Sequence, residues 1–425
     1  MDDREQEQVA TSMLGFQGFV VVGVDIEESP THREPGKRIL VVLLEDVRKY
    51  HRCPRCGKKH REASFQESAP RRSRDTSQGD FVTFVEITPM RVRCCGGLRV
   101  EAFPWEDPFG HRMTRRFTER IAALCRKSTV QSVAKMAGLA WWTVSKVDEE
   151  STRLALGGDR PGLDGLRWIG VDEVSRNGGR IYFTIVTDLL RGRVVWVGDG
   201  KGERPLAEFF AALGEKGCHK IRGAVCDLAA GFLKAIAASI PRAEVVLDRF
   251  HIMKWTNDAL KAIRRRFFGA APKGALGREL KVQQWLFLSA RENLRHGDKL
   301  RLNRLCQLNQ PLYQAYILKE ELRAILHHPW RYMGAMLRNL MAWALAVRQT
   351  AHGELIKVAE RLLSHADKVM AGFTAPVKLG FVEAINGKIA MIRRESRGIA
   401  NPGHFRFKIY QRCSLPNDPW AHIVL

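Results

Sequence analysis

Five apolar runs between Leu166 and Leu247 constrain this 425-residue chain more than any other feature, because their spacing dictates how they can pair. Leu166 to Val174 reads as a strand, Asn177-Gly178-Gly179 as a hairpin turn, and Arg180 to Thr187 as a second strand. Arg191-Gly192 then turns the chain into a third strand, Val194 to Val197. The fourth and fifth, Ile221 to Cys226 and Ala243 to Leu247, are reached through segments of helical spacing. Leu206, Phe209, Phe210 and Leu213 mark the first of these segments, and Gly231 to Ser239 the second. Tight turns join antiparallel neighbours, whereas helical crossovers join parallel ones, so the succession predicts a mixed sheet in an α/β fold.

A succession of this kind has a ribonuclease-H-like order, in which the fourth strand lies beside the first through a right-handed crossover. The strand order is the fold's; the sequence shows the succession of elements. From roughly Lys254 to Lys368 the chain reads as almost continuous helix. Leu300 to Leu318 and Ile325 to Val347 are apolar at helical spacing, with Trp285, Trp330 and Trp343 interspersed. A helical block of that length inside an α/β domain reads as an insertion. Phe381 to Arg394 is one more helix, followed by a basic segment to Lys408.

Ahead of the sheet lie two smaller patterns. Cys53-Pro54-Arg55-Cys56-Gly57 has the spacing of a zinc knuckle, two thiolates that can share one tetrahedral ion. A ribbon needs a second knuckle, which here is compressed to the adjacent pair Cys94 and Cys95. The fourth ligand is His51, His60, the second cysteine of the pair, or none, and a decayed site is the alternative to one bound Zn2+. Further on, Val130, Val133, Ala134 and Ala137 share a helical face, Gly138 suits a tight turn, and Val144 and Val147 continue an apolar stripe. That is a helix-turn-helix pattern, with Trp141, Trp142, Thr143, Ser145 and Lys146 opening a recognition helix and Lys135 on the helix before it. An ordinary pair of packed helices is the competing account. The resulting organisation is residues 1–110, a zinc-ribbon-like region; 111–156, the helix-turn-helix; 157–253, the first part of the core; 254–370, the helical insertion; and 371–425, the rest of the core.

The net charge of +23 is spread along the chain and calls for a polyanionic partner, of which double-stranded DNA is the expected one. Arg393, Arg394 and Arg397, late on the Phe381 helix and just beyond it, are placed to meet phosphates. No apolar run reaches the ~20 residues that cross a bilayer. The net acidic stretch Met1 to Glu7 does not resemble a secretory leader, and nine cysteines, an odd number, suit a reducing compartment better than a disulfide framework. A cytoplasmic, nucleoid-associated protein is the expectation.

Asp172 falls inside the apolar run Trp168-Ile169-Gly170-Val171-Asp172, and Asp227 ends Gly223-Ala224-Val225-Cys226-Asp227. An ionised carboxylate in a central strand is costly without a cation or a partner. If the first and fourth strands are neighbours, the two acids meet at one end of the sheet. Glu383 opens the helix after the insertion and could complete an oxygen cage for Mg2+ or Mn2+. Two ions so held can activate an attacking oxygen and stabilise a leaving one.

Asp172-Glu173, Asp227-Leu228-Ala229-Ala230-Gly231-Phe232, Asp248-Arg249-Phe250-His251 and Glu383-Ala384-Ile385-Asn386-Gly387-Lys388-Ile389 together resemble the bacterial insertion-sequence transposases of the ISL-three family. The resemblance covers nearly the whole chain, and the adjacent Cys94-Cys95 pair and Ala384 depart from the family pattern. It implies a DDE triad of Asp172, Asp227 and Glu383, with Asp248, His251 and Asn386 as supporting residues near the site. It also implies binding of terminal repeats and target DNA by a homo-oligomer. Taken alone, a histidine in the position of His251 is more often a hydrogen-bonded core residue than a proton shuttle. A DNA-binding regulator derived from a transposase, and a structure-selective nuclease, are the competing functions.

Overall fold

The computed structural model describes residues 11–12, 15–28, 38–61, 68–175, 181–269, 284–307, 309–395 and 401–415. The Asn177-Gly178-Gly179 turn and Arg397 lie outside the described residues. The chain divides into two compact units, residues 1–159 with 415–425, and residues 160–414.

The first unit opens with strands β1 (Phe19–Glu28), β2 (Arg38–Asp46), β3 (His51–Arg52), β4 (Lys59–His60), β5 (Arg71–Arg74), β6 (Val82–Ile87), β7 (Arg91–Cys94) and β8 (Gly97–Val100). Four of them form a sheet of order β1-β2-β6-β5, while β3-β4 and β7-β8 are separate two-stranded ribbons. Phe19, Val21, Val42, Leu44, Val85 and Ile87 bury one face of the sheet beneath Phe103 and Trp105, whose rings stack 5.2 Å apart. The sequence pattern signals short β runs here but not this sheet. Its central pair, β2 with β6, is parallel and joins segments far apart in the chain, which no local pattern reveals.

Helices α1 (Arg115–Lys127), α2 (Val130–Ala137) and α3 (Trp141–Leu156) follow. Thr114 caps α1 and Thr129 caps α2, each side-chain oxygen accepting an N–H of the first turn. Gly138 ends α2 at φ 65°, a left-handed conformation that glycine adopts without penalty. Phe117, Ile121, Cys125, Val130, Val133, Ala134, Val144 and Val147 form the shared core of the three helices. The apolar stripes read from the sequence are the buried faces.

The second unit is built on β9 (Trp168–Ser175), β10 (Tyr182–Asp188), β11 (Arg193–Asp199), β12 (Gly223–Cys226) and β13 (Glu244–Leu247), with α4 (Glu203–Leu213) and α5 (Glu215–Cys218) before β12 and α6 (Ala230–Ser239) after it. The order is β11-β10-β9-β12-β13; β9, β10 and β11 pair antiparallel, and β9, β12 and β13 parallel. Alternation along β9 sends Ile169 and Val171 into a core with Leu206, Phe209, Phe232 and Ile236 of α4 and α6. Trp168 faces the other way, against Val225, Val246, Leu379 and Val382.

Between Arg249 and Thr374 every described element is helical: α7 (Arg249–Gly269), α8 (Gln284–Leu288), a 3-10 turn (Arg291–Asn293), α9 (His296–Gln307), α10 (Gln310–His327), α11 (Met333–Arg348), α12 (Gly353–Ser364) and α13 (Ala366–Thr374). Tyr316, Leu322, Leu340, Trp343, Val347 and Leu355 lie at its centre, and the Trp343 indole N–H is satisfied by the Leu318 carbonyl at 2.8 Å. Helix α14 (Phe381–Glu395) then returns to β9, and α15 (Pro402–Ser414) covers the edge strand β11. There the Val197 N–H donates to the Tyr410 hydroxyl at 2.9 Å and the Ser414 hydroxyl donates to the Val194 carbonyl at 2.7 Å, so backbone groups of an edge are satisfied from within the chain.

Candidate carboxylate and cysteine centres

The register of the parallel strands sets Val225 beside Gly170 and Cys226 beside Leu247. Continued to the strand ends, it sets Asp227 beside both Asp172 and Asp248. Extended two residues past the last β12–β9 pair and one past the last β12–β13 pair, the register brings the three aspartates onto one rung, and all three add to the burial that raises the Cys226 thiol. Alternation assigns Asp172 to the face of Trp168 and Gly170, where α14 packs, and Glu173 to the opposite face. The contacts agree: the Asn386 amide of α14 donates to Asp172 Oδ2 at 2.5 Å, whereas Glu173 accepts the Gly202 N–H at 2.9 Å. Asp227 accepts the Ala229 N–H at 2.9 Å across Leu228, which sits at φ 60°, a strained conformation for a branched residue at the mouth of the site. The Asp227-to-Gly231 motif has a steric basis too, since a side chain at Gly231 would strike the Glu203 nitrogen at 2.7 Å.

The four residues after β13 divide their work. Asp248, buried, accepts the Phe250 N–H at 3.0 Å; Arg249 donates to the Leu326 and Gly372 carbonyls at 2.9 and 3.0 Å, tying α10 and α13 to the start of α7; Phe250 is exposed; and His251 is buried on the first turn of α7. His251 Nε2 lies 3.8 Å from Asp172 and its Nδ1 lies 3.9 Å from Asp248, and among the described residues Nδ1 has no hydrogen-bond partner. Glu383 lies in the first turn of α14, three residues before Asn386 and so on the same side of the helix. Burial, then repulsion from Asp248, raises the Glu383 carboxyl, opposed by His251. Burial also dominates the upward shifts of Asp248 and Glu173, with Asp172 adding repulsion to both.

The donor set suits a hard divalent cation: carboxylate oxygens that raise one another's protonation, and a buried Asn386 Oδ1 with no donor of its own. Asp172, Asp227 and Glu383 do not form a tight cage for one ion. Among the described residues, the groups whose ligand atoms all fall within 4.8 Å are Cys53-Cys56-Cys94-Cys95 and Asp46-His51-Glu101. A wider spread is compatible with two ions held about 3.5–4 Å apart.

In the cysteine cluster, Sγ distances are 3.9 Å for Cys53–Cys95, 3.6 Å for Cys56–Cys94 and 3.8 Å for Cys94–Cys95. A tetrahedral ion with bonds of about 2.3 Å demands edges of about 3.8 Å. Neighbouring cysteines converge because Cys95 and Gly96 occupy the ribbon turn at φ 51° and 76°, both left-handed, as a type I′ turn requires. The backbone N–H of Cys56 draws the Cys53 thiol down to about 6, while Cys56 and Cys94 push Cys95 up to about 12. Four crowded thiols cannot ionise together without a cation. His51 is engaged elsewhere, its Nδ1 2.9 Å from Glu101. In that second cluster the Arg48 guanidinium bonds both Asp46 and Glu101 and so occupies the cation's place.

On α3, Trp141 and Trp142 are 50% and 66% exposed although they begin a helix packed on its neighbours; Lys146 of α3 and Lys135 of α2 are exposed as well. Thr143 and Ser145 are half-buried. At the far end of α14, Arg393 donates to the Ser175 carbonyl at 2.8 Å, so it touches the protein as well as facing solvent; Arg394 is exposed. The sequence reading missed Gly170, Gly231 and the rung position of Asp248. Glycine inside a central strand was the signal for the first.

Comparison with known proteins extends over both units. A family model described as a transposase matches residues 169–409, more than half of the chain, and one described as the helix-turn-helix domain of transposase family ISL3 matches residues 102–150. The chain is 29% identical over 413 residues to the transposase for insertion sequence element IS1001 of Bordetella parapertussis, covering 96% of this chain and 98% of that protein. It is 28% identical over 422 residues to the transposase for insertion sequence element IS1557 of Mycobacterium tuberculosis, covering 92% of each.

Proposed function

The chain belongs to the ISL3 family of insertion-sequence transposases, and from that premise we propose that it binds the ends of its element and carries out metal-dependent strand cleavage and strand transfer with Asp172, Asp227 and Glu383. The observation that carries this reading is the convergence of Asp172, inside β9, with Asp227 and Asp248, which follow β12 and β13, and of Glu383 of α14 on the same side of the sheet. The strand order supports reading the second unit as a ribonuclease-H-like core, and the helices from Arg249 to Thr374 as an insertion ahead of Glu383.

Asp172, Asp227 and Glu383 would hold Mg2+ or Mn2+, which when bound activates an attacking oxygen and stabilises the leaving one. The protein's own part is positioning. Asn386 fixes the Asp172 carboxylate, the Ala229 N–H fixes Asp227, and the His251 ring lies between Asp172 and Asp248, 3.8 and 3.9 Å from their oxygens. Cys53, Cys56, Cys94 and Cys95 would hold one structural Zn2+, closed to chemistry because all four positions are thiolates. The helix-turn-helix would read terminal repeats through Thr143, Ser145 and Lys146, with double-stranded DNA as partner and a homo-oligomer as the active complex. Among the described residues no helix is long and apolar enough to cross a membrane. A DNA partner accords with a cytoplasmic, nucleoid-associated protein.

The test is incubation with labelled DNA carrying the element's own flanks and Mg2+ or Mn2+, mapping cut strands to the nucleotide. Cleavage at the element ends followed by joined products supports a transposase. Cleavage without joining points to a nuclease, and binding without cleavage to a regulator.

A further inference from the structure

Gly170 sits in the central strand of the sheet, with Thr187 on one side and Val225 on the other. Glycine weakens a strand interior, so its presence calls for a close approach. A Cβ there would lie 2.6 Å from Val382 Cγ2 and 3.0 Å from Leu189 Cδ2. Val382 is the residue before Glu383, is 4% exposed and, being β-branched, has little rotamer freedom with which to yield. The missing side chain at Gly170 is what lets the first turn of α14 settle onto β9.

Two further contacts join the same helix to the same strand: Asn386 with Asp172 at 2.5 Å and Arg393 with the Ser175 carbonyl at 2.8 Å. The spacings match. Gly170 to Ser175 spans about 16.5 Å of strand at about 3.3 Å per residue. Val382 to Arg393 spans about 16.5 Å of helix at about 1.5 Å per residue. The middle contact fits as well, about 6.6 Å along the strand against about 6 Å along the helix. Helix and strand run side by side, and all three contacts are met together in one register only.

We propose that this three-point registration is what sets Glu383 beside Asp248 and His251 at the carboxylate cluster of Asp172, making Gly170 and Arg393 positioning residues. The inference rests on the reading of Asp172 and Glu383 as catalytic. Gly192 belongs to the same cradle, since a Cβ there would lie 2.7 Å from Phe381 Cζ, but its φ of 68° strains any replacement and makes it a poor probe. Gly170 has no such complication.

The experiment is a double-mutant cycle of Gly170→Ala and Val382→Ala in the full-length protein, read by end cleavage, end binding and thermal melting, with Glu383→Ala alongside. Gly170→Ala should slow cleavage about tenfold or more, because small misplacements of reacting groups are amplified in rate. Binding of end DNA should stay within about twofold, since no phosphate contact is removed. In the Val382→Ala background, where the nearer obstruction is gone and only the Leu189 contact at 3.0 Å remains, Gly170→Ala should cost far less cleavage and melting than it does alone, the non-additivity expected of residues in contact. Wild-type cleavage by Gly170→Ala overturns the inference. An equal loss from Gly170→Ala with and without Val382 overturns it as well, and this comparison holds even where the single variant folds poorly. An active Glu383→Ala instead overturns the triad reading, and with it the basis for this one.

Discussion

Asp172 is the residue at which the sequence was most legible, because a carboxylate inside Trp168-Ile169-Gly170-Val171 has no place in a strand without a compensating charge or donor. Asp248 was less so: its position on the rung depends on the β12-β13 register, which is fixed by pairing across the sheet. Glu173 shows what adjacency conceals. It neighbours Asp172 in sequence but points to the other face and bonds Gly202, so Glu173→Ala should reduce cleavage far less than Asp172→Ala does in the same assay. Equal loss from the two would mean that both faces contribute. The cysteines pose the same problem of local geometry. Adjacent Cys94 and Cys95 look ill-suited to one ion until the left-handed turn brings both sulfurs to a shared centre. Elemental analysis should therefore find about one zinc per chain, removed by Cys53→Ser, because four thiols at this spacing could close around one ion. Metal-free protein from a chelator-free preparation would contradict this.

At the scale of elements, helical periodicity and turn chemistry carried the helix-turn-helix from sequence to structure almost unchanged, since its contacts are local. The four-stranded sheet of the first unit escaped because its parallel central pair is not local. The two basic elements should divide the labour of DNA binding. Residues that open a recognition helix reach base edges, so Ser145→Ala with Lys146→Ala should lose preference for element ends over random duplex. Arg394, exposed on α14, should meet phosphate, and Arg394→Ala should weaken both DNAs about equally while lowering the log–log salt slope by about one. Arg393 is a less clean probe because it also grips Ser175. Competition binding at two or more salt concentrations measures these effects, and loss of end preference in the Arg394 variant alone would reverse the assignment.

Across the whole molecule, a net charge of +23 supplies attraction without sequence information, and the two units add what charge cannot: a helix-turn-helix, and a sheet that gathers carboxylates. The order β11-β10-β9-β12-β13 is what converts acids distant in sequence into neighbours. The central claim is that those acids perform chemistry and do not serve binding. It is tested most directly by measuring end cleavage and end binding side by side for Asp172→Ala, Asp227→Ala and Glu383→Ala. Each variant should lose cleavage by about two orders of magnitude or more, as removal of a group that stabilises transition-state charge does, while binding end DNA about as tightly as the unaltered chain. Wild-type cleavage in any one of the three would contradict that residue's assignment, and loss of binding in step with cleavage in all of them would contradict the claim itself.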